Sequence, residues 1–133
     1  MSLAKIRVLV ADDHNQMREY VRGLLSADFC EVVAAVGDGQ AAVDAAAQLL
    51  PDVAVLDISM PILNGIEAAR RLQVVSPTTS VVFLTVDKDR ETCRAALETG
   101  AQGYVLKPRL GTDLLLAIKL AKEKRRFVSP GCE

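Results

Sequence analysis

The sequence contains no tryptophan, three phenylalanines and two tyrosines. That is too few aromatics to stack a flavin, and none interleaves with basic residues as a nucleic-acid platform would require. Cysteine is equally sparse. Cys30, Cys93 and Cys132 form no CxxC pair and, being three, cannot all pair. Neither a zinc site nor a disulfide framework is supported, and free thiols are expected. No apolar run approaches the roughly 20 residues that span a bilayer. "MSLAKIRVLVADD" lacks the layout of a signal peptide, so the expected compartment is the cytoplasm, with no membrane partner. The net charge of -1 leaves no overall field to steer the molecule toward nucleic acid or anionic lipid. Long linkers, internal repeats and low-complexity tracts are also missing.

What the chain does have is composition for a core. Half of its 133 residues are hydrophobic and a quarter charged, which suits one folded domain. Short β-branched runs alternate with segments of helical spacing. Ile6 to Ala11 reads as a strand, and Asn15 to Ala27, with Met17, Val21, Leu24 and Leu25, as a helix. Glu31 to Val36 is a second strand. "GDG" turns into a helix over Gln40 to Leu50, with Val43, Ala46, Ala47 and Leu50 on one face. Val53 to Leu56 is a third strand, followed past Pro61 by a helix from about Gly65 that Ser76 and Pro77 stop. Ser80 to Val86, a helix over Asp89 to Thr99 with Gly100 as its cap, and Tyr104 to Lys107 continue the pattern. A last helix, N-capped by Thr112, carries Leu115 and Ile118 inward and runs to about Arg126. Strands apolar on both faces belong in a parallel sheet covered by helices on each side, so the expected fold class is doubly wound α/β.

Ligands of such sheets sit beyond the carboxyl ends of the strands. Asp12 and Asp13 end the first strand, Asp57 the third, Thr85 the fourth and Lys107 the fifth. Taken singly, a capping acid, a β-branched strand residue and a surface lysine are the commoner explanations. Their coincidence at successive strand ends changes the balance. "VADDHNQ" replaces the glycines of a dinucleotide loop with carboxylates that would repel a bare phosphate. Acids held together at neutral pH must take up a proton or a cation, and hard oxygen ligands suit Mg2+. His14 reads as solvated or capping at a helix start. Lys119, Lys122, Lys124, Arg125 and Arg126 read as solvated charges at a helix C-terminus.

"VLVADDH", "PDVAVLDISMPILNGIEAARRL", "VVFLTVD" and "ALETGAQGYVLKP" together resemble the receiver domain of bacterial two-component response regulators. "ADDH" and "GAQGYVLKP" look most like receivers of the LuxR-type, helix-turn-helix subfamily. The resemblance covers Lys5 to about Phe127. It implies a flavodoxin-like five-stranded parallel sheet of order 2-1-3-4-5 with five helices. Residues 5–127 would form the receiver, 1–4 a disordered start or cloning remnant, and 128–133 the start of a linker or tail.

The same resemblance assigns roles. Asp57 would accept a phosphoryl group from a sensor histidine kinase or phosphotransfer protein. Asp13 and Asp57 would ligate Mg2+ directly, Asp12 largely through water, and the Ser59 backbone carbonyl would complete the set. Lys107 and Thr85 would bind the phosphoryl oxygens, Thr85 and Tyr104 would act as switch residues, and a cis bond at Pro108 would aim Lys107 inward. Output would pass through the face made by helix 4, strand 5 and helix 5, to a homodimer partner or to a DNA-binding domain not in this chain. The protein would not be an enzyme in the ordinary sense, although it assists its own phosphorylation and dephosphorylation. Ser59 and Asp87 would flank the path of the hydrolytic water. Among competing readings, a haloacid-dehalogenase-type phosphatase needs a second acid where Ser59 stands. A degenerate receiver used only for interaction would not need all five site residues, and a stand-alone receiver would act through protein contacts.

Overall fold

The computed structural model describes residues 4–27 and 29–131. The expected start at residues 1–4 therefore lies largely outside the described residues. In chain order the elements are β1 (Ile6–Ala11), α1 (Asn15–Ser26), β2 (Cys30–Val36), α2 (Gly39–Leu49), β3 (Val53–Leu56) and α3 (Gly65–Val75). Then come β4 (Ser80–Thr85), α4 (Arg90–Glu98), β5 (Gly103–Leu106), a 3-10 turn (Lys107–Arg109), α5 (Leu110–Lys122) and β6 (Phe127–Val128). The strands form one parallel sheet in the order β2-β1-β3-β4-β5-β6. Five of them follow the expected order and helix count, and the two-residue β6 adds a sixth.

Strand alternation explains the two cores. Leu9 and Ala11 of β1 join Ala54, Leu56 and Phe83 on one face, against Ala42, Ala46, Ala69 and Leu72 from α2 and α3 and Cys93 and Ala96 from α4. Val8 and Val10 face the other way, with Val53, Val55, Val82 and Leu84, against Val21 and Leu25 of α1 and Leu114 and Ile118 of α5. Because β3 and β4 lie in the middle of the sheet, every one of their residues is buried.

Helix starts follow side-chain chemistry. Asp38, Asn64 and Asp89 each accept a backbone N–H in the first turn of α2, α3 and α4. Gly100, at φ 92°, follows the end of α4, where a left-handed residue closes the helix without a Cβ penalty.

Several expectations are corrected. In α2 the buried face is Ala42, Val43 and Ala46. Leu50 instead caps the helix in a left-handed conformation and is more than half exposed. Thr112 is not an N-cap: α5 begins at Leu110, and the Thr112 hydroxyl donates to the Arg109 carbonyl at 3.1 Å. The inward face of α5 is led by Leu114, Ala117 and Ile118, with Leu115 only partly buried. Pro108 is trans, since no cis peptide occurs among the described residues. It lies in the 3-10 turn before α5, where its fixed φ fits and its missing N–H has no helical partner to lose. Of the cysteines, Cys30 is a buried thiol, as expected. Cys93 is disulfide-bonded, contrary to expectation. Cys132 lies outside the described residues.

Candidate functional site

Register brings the site together. Ala11 pairs with Leu56, so Asp12 and Asp57 leave the sheet side by side from adjacent strands. Thr85 pairs with Leu106, which sets Lys107 just beyond the hydroxyl's strand end. The Asp57 N–H donates to the Ala11 carbonyl at 2.9 Å, carrying the pairing one residue further. These groups are sheltered: Asp57 is 4% exposed, Asp12 3% and Thr85 1%. Asp13 is about a third exposed at the rim.

Lys107 reaches inward with a trans Pro108 behind it. Its ammonium is 2.9 Å from Asp12 Oδ2 and donates to Asp57 Oδ2 at 3.1 Å. Burial disfavours the charge on Lys107, but the hydrogen bonds and charges of Asp12 and Asp57 outweigh it and hold the amine above its usual range. Asp57 is pushed above the usual carboxylate range. Burial is the main cause, and the charge of Asp12 adds to it, against the pull of Lys107 and the Ser59 N–H. One lysine does not fully compensate two sheltered acids. The pocket is therefore receptive to another positive charge.

Ligand atoms of Asp12, Asp13, His14 and Asp57 all lie within 4.8 Å of one another. Carboxylate oxygens dominate the set, which fits a hard divalent cation of the Mg2+ type. The Ser59 N–H points to Asp57 Oδ1 at 3.4 Å. Arg18 braces the loop from below, donating to the Asp12 carbonyl at 2.7 Å and to the Asn15 side chain.

Beside the pocket, the Thr85 hydroxyl accepts the Asp87 N–H at 3.2 Å. Tyr104 is fully buried, its ring tilted against Phe83, and its hydroxyl donates to the Asp87 carbonyl at 2.5 Å. The Tyr104 side chain thus points inward in this structure. Burial first, and the nearby Asp87 and Asp89 after it, push the Tyr104 phenol well above its usual range.

Residues 8–119 match the family model described as the response regulator receiver domain. The chain belongs to that family. This receiver is 36% identical over 127 residues to the transcriptional regulatory protein DegU of Brevibacillus brevis, covering 95% of the chain and 54% of DegU. It is 40% identical over 123 residues to a protein-glutamate methylesterase/protein-glutamine glutaminase of Carboxydothermus hydrogenoformans, covering 91% of the chain and 34% of that enzyme. The crystal structure of a LuxR-family two-component response regulator from Aurantimonas superposes with a TM-score of 0.89 at 31% identity, over 95% of this chain and 91% of that one. The receiver thus spans about half or less of the length of these curated relatives. Its kinship lies with LuxR-family regulators, as "ADDH" and "GAQGYVLKP" suggested.

Two features of the receiver's site escaped sequence reasoning. His14 occupies the N-cap position of α1 but makes no side-chain capping bond. Its Nδ1 lies 3.3 Å from Asp12 Oδ1 and 3.2 Å from Asp13 Oδ1. Its place directly after two acids was the available signal. Gly65 is the other: a Cβ there would lie 2.1 Å from the Asp57 carbonyl oxygen, so only glycine lets α3 start against the loop that follows β3.

Proposed function

We propose that the receiver is the phosphoacceptor of a two-component system. It would take a phosphoryl group from a partner's phosphohistidine onto Asp57 with the help of Mg2+. The P–N bond of the donor, its ring protonated on the other nitrogen, breaks with its electron pair returning to nitrogen as a P–O bond to an Asp57 carboxylate oxygen forms, leaving a neutral imidazole and an acyl phosphate. The observation that carries the reading is the placement of Lys107 at 3.1 Å from Asp57 within a cluster of sheltered acids. Phosphoryl transfer depends on in-line positioning and on neutralising the charge of the equatorial oxygens. Lys107 supplies a fixed ammonium on one side and the Thr85 hydroxyl a hydrogen bond. Asp12, Asp13, Asp57 and the Ser59 carbonyl would hold the ion, which supplies the remaining positive charge. Exposed Ser59 and part-exposed Asp87 flank the entry for water.

In the modified form the Thr85 hydroxyl would leave the Asp87 N–H for a phosphoryl oxygen, and Tyr104, tied to the Asp87 carbonyl, would follow. That biases the face of α4, β5 and α5. Similarity to transcriptional regulators supports control of a DNA-binding output. A stand-alone receiver would use the same face for protein contact or homodimer formation. Either role is cytoplasmic, and no described helix is long and apolar enough to cross a membrane.

Treatment with acetyl phosphate and Mg2+, followed by intact-mass and peptide mass spectrometry, tests the reading. One phosphoryl group on Asp57, absent from Asp57→Asn and greatly slowed by EDTA, is expected. Failure to label, or labelling that persists in Asp57→Asn, overturns it.

A further inference from the structure

The two-residue strand β6, which begins at the last residue assigned to the receiver and runs into the segment read as the start of a linker or tail, is built into the sheet. Phe127 N–H donates to the Gln102 carbonyl at 2.9 Å and Ser129 N–H to the Tyr104 carbonyl at 2.8 Å. Gly103 pairs with Phe127 and Tyr104 with Val128. Val128 packs on the core that holds Tyr104 and Cys93.

Ser129 is fully buried and has both its hydroxyl roles filled. Its Oγ accepts the Leu106 N–H at 3.1 Å and donates to Asp113 Oδ2 at 2.7 Å. Asp113, 5% exposed on α5, also accepts Arg109 Nε at 2.9 Å. Burial alone would raise the Asp113 carboxyl, but these hydrogen bonds hold it below its usual range. A serine and an aspartate are thus sheltered together to fasten a segment that a simple tether would leave in solvent.

The fastening point is also a point of the switch. Thr85 Oγ1 holds the Asp87 N–H, the Asp87 carbonyl holds the Tyr104 hydroxyl, and the Tyr104 carbonyl holds the Ser129 N–H. Three consecutive hydrogen bonds therefore join the strand-end hydroxyl of the pocket to the tail.

Resting on the phosphoacceptor reading, we propose that residues 127–131 are a latch that reads the state of Asp57. The latch is closed when Thr85 holds Asp87, and loosened when the Thr85 hydroxyl turns to a phosphoryl group and the Asp87–Tyr104 anchor shifts. Ser129 and Asp113 are its positioning residues, and Tyr104 is its link to the pocket.

Hydrogen exchange read by mass spectrometry tests this on the whole chain in reducing buffer, so that the Cys93 disulfide makes no contribution. Intact mass is taken on the same samples. Phosphorylated protein is expected to exchange at least tenfold faster over 127–131 than unmodified protein. In Tyr104→Phe, which lacks the hydroxyl link, that response is expected to vanish when samples of equal phosphoryl content by intact mass are compared. Unmodified Ser129→Ala should exchange faster over 127–131 and over 87–89 together, and Asp113→Asn should do the same if Ser129→Ala folds poorly. Full phosphorylation with unchanged exchange over 127–131 overturns the latch alone. So does a response that survives in Tyr104→Phe, or loosening of 127–131 in the unmodified variants with 87–89 untouched. Absence of any phosphoryl gain overturns the phosphoacceptor reading and the latch with it.

Discussion

Lys107 Nζ lies 3.1 Å from Asp57 Oδ2 and, at 2.9 Å, is as close to Asp12 Oδ2. The amine arrives from β5, the two acids from β3 and β1, and its side chain is 9% exposed. It is the main countercharge for a sheltered pair of carboxylates. Loss of one partner from such a group costs more than the pair itself contributes, because the remaining charges stay in a low-dielectric site.

Lys107→Ala is therefore expected to lower stability by about 3 kcal/mol in EDTA. Millimolar Mg2+ should restore more of the loss in the variant than it adds to the native protein. Urea denaturation with and without Mg2+ measures both. An equal Mg2+ effect in the two proteins would contradict the shared-countercharge picture.

Asp57 is shifted the opposite way from an ordinary salt-bridged acid. Its folded-state value lies above the usual 3.8, so its contribution to stability is present below that pH and is lost as pH rises through the folded value. At neutral pH the ionised carboxylate opposes folding. Asp57→Asn should thus melt higher than the native protein at pH 7 in EDTA, with the gap closing at pH 3. Thermal denaturation at the two pH values decides, and a native protein that melts higher at pH 7 would refute it.

Asp113 has the other sign. Held below 3.8 by Arg109, Ser129 and Thr112 in spite of its burial, it stabilises above that value, and the contribution fades as pH falls through the folded value. Asp113→Asn should cost about 1.5 to 3 kcal/mol at pH 7 and much less at pH 3. Chemical denaturation at the two pH values reads the difference.

Gly65→Ala would drive a methyl group to 2.1 Å from the Asp57 carbonyl oxygen, with the Ile58 Cα at 2.9 Å. Backbone must move to admit it. We expect a loss of about 1 to 3 kcal/mol, by analogy with overpacked cores, and slower uptake of phosphoryl from acetyl phosphate. Gly23→Ala on α1, where an added Cβ meets nothing within 4 Å, is the control and should leave both unchanged.

Ile62 sits at φ 71° and is 80% exposed, a β-branched residue in a left-handed conformation just after Pro61. Left-handed backbone costs an L-residue roughly 1 to 2 kcal/mol, and asparagine tolerates it better. Ile62→Asn should therefore stabilise the domain by about 1 kcal/mol in denaturant titrations. A loss of stability would show that the isoleucine side chain has a packing role.

The strand–helix alternation and the strand-end residues were legible because each rests on a local signal, whereas the sheet order came with the family resemblance. Apolar runs mark strands, and successive strand ends are forced to one rim by parallel topology. Less legible were features set by contacts across the chain. Leu50 looked like part of an apolar helix face, but the helix has already ended in a left-handed cap there. Thr112 has the chemistry of an N-cap, yet the 3-10 turn at Lys107–Arg109 starts the helix three residues earlier, at Leu110. Nothing in "RRFVSPGCE" announces a strand, since Phe127 and Val128 pair only because β5 offers an edge at that height. His14 was classed by its helix position, whereas the neighbouring carboxylates determine its contacts.

The outer margins of the sheet carry a consequence for assembly. On one side β2 meets β1 through a register irregularity between Val8 and Leu9. On the other, β6 offers only two residues before Pro130. Unpaired strand margins are templates for aggregation, and short, irregular or proline-terminated ones are poor templates. Whatever this domain joins, it is built to recognise through side chains on its helical flanks rather than by lending its backbone to a neighbour's ladder.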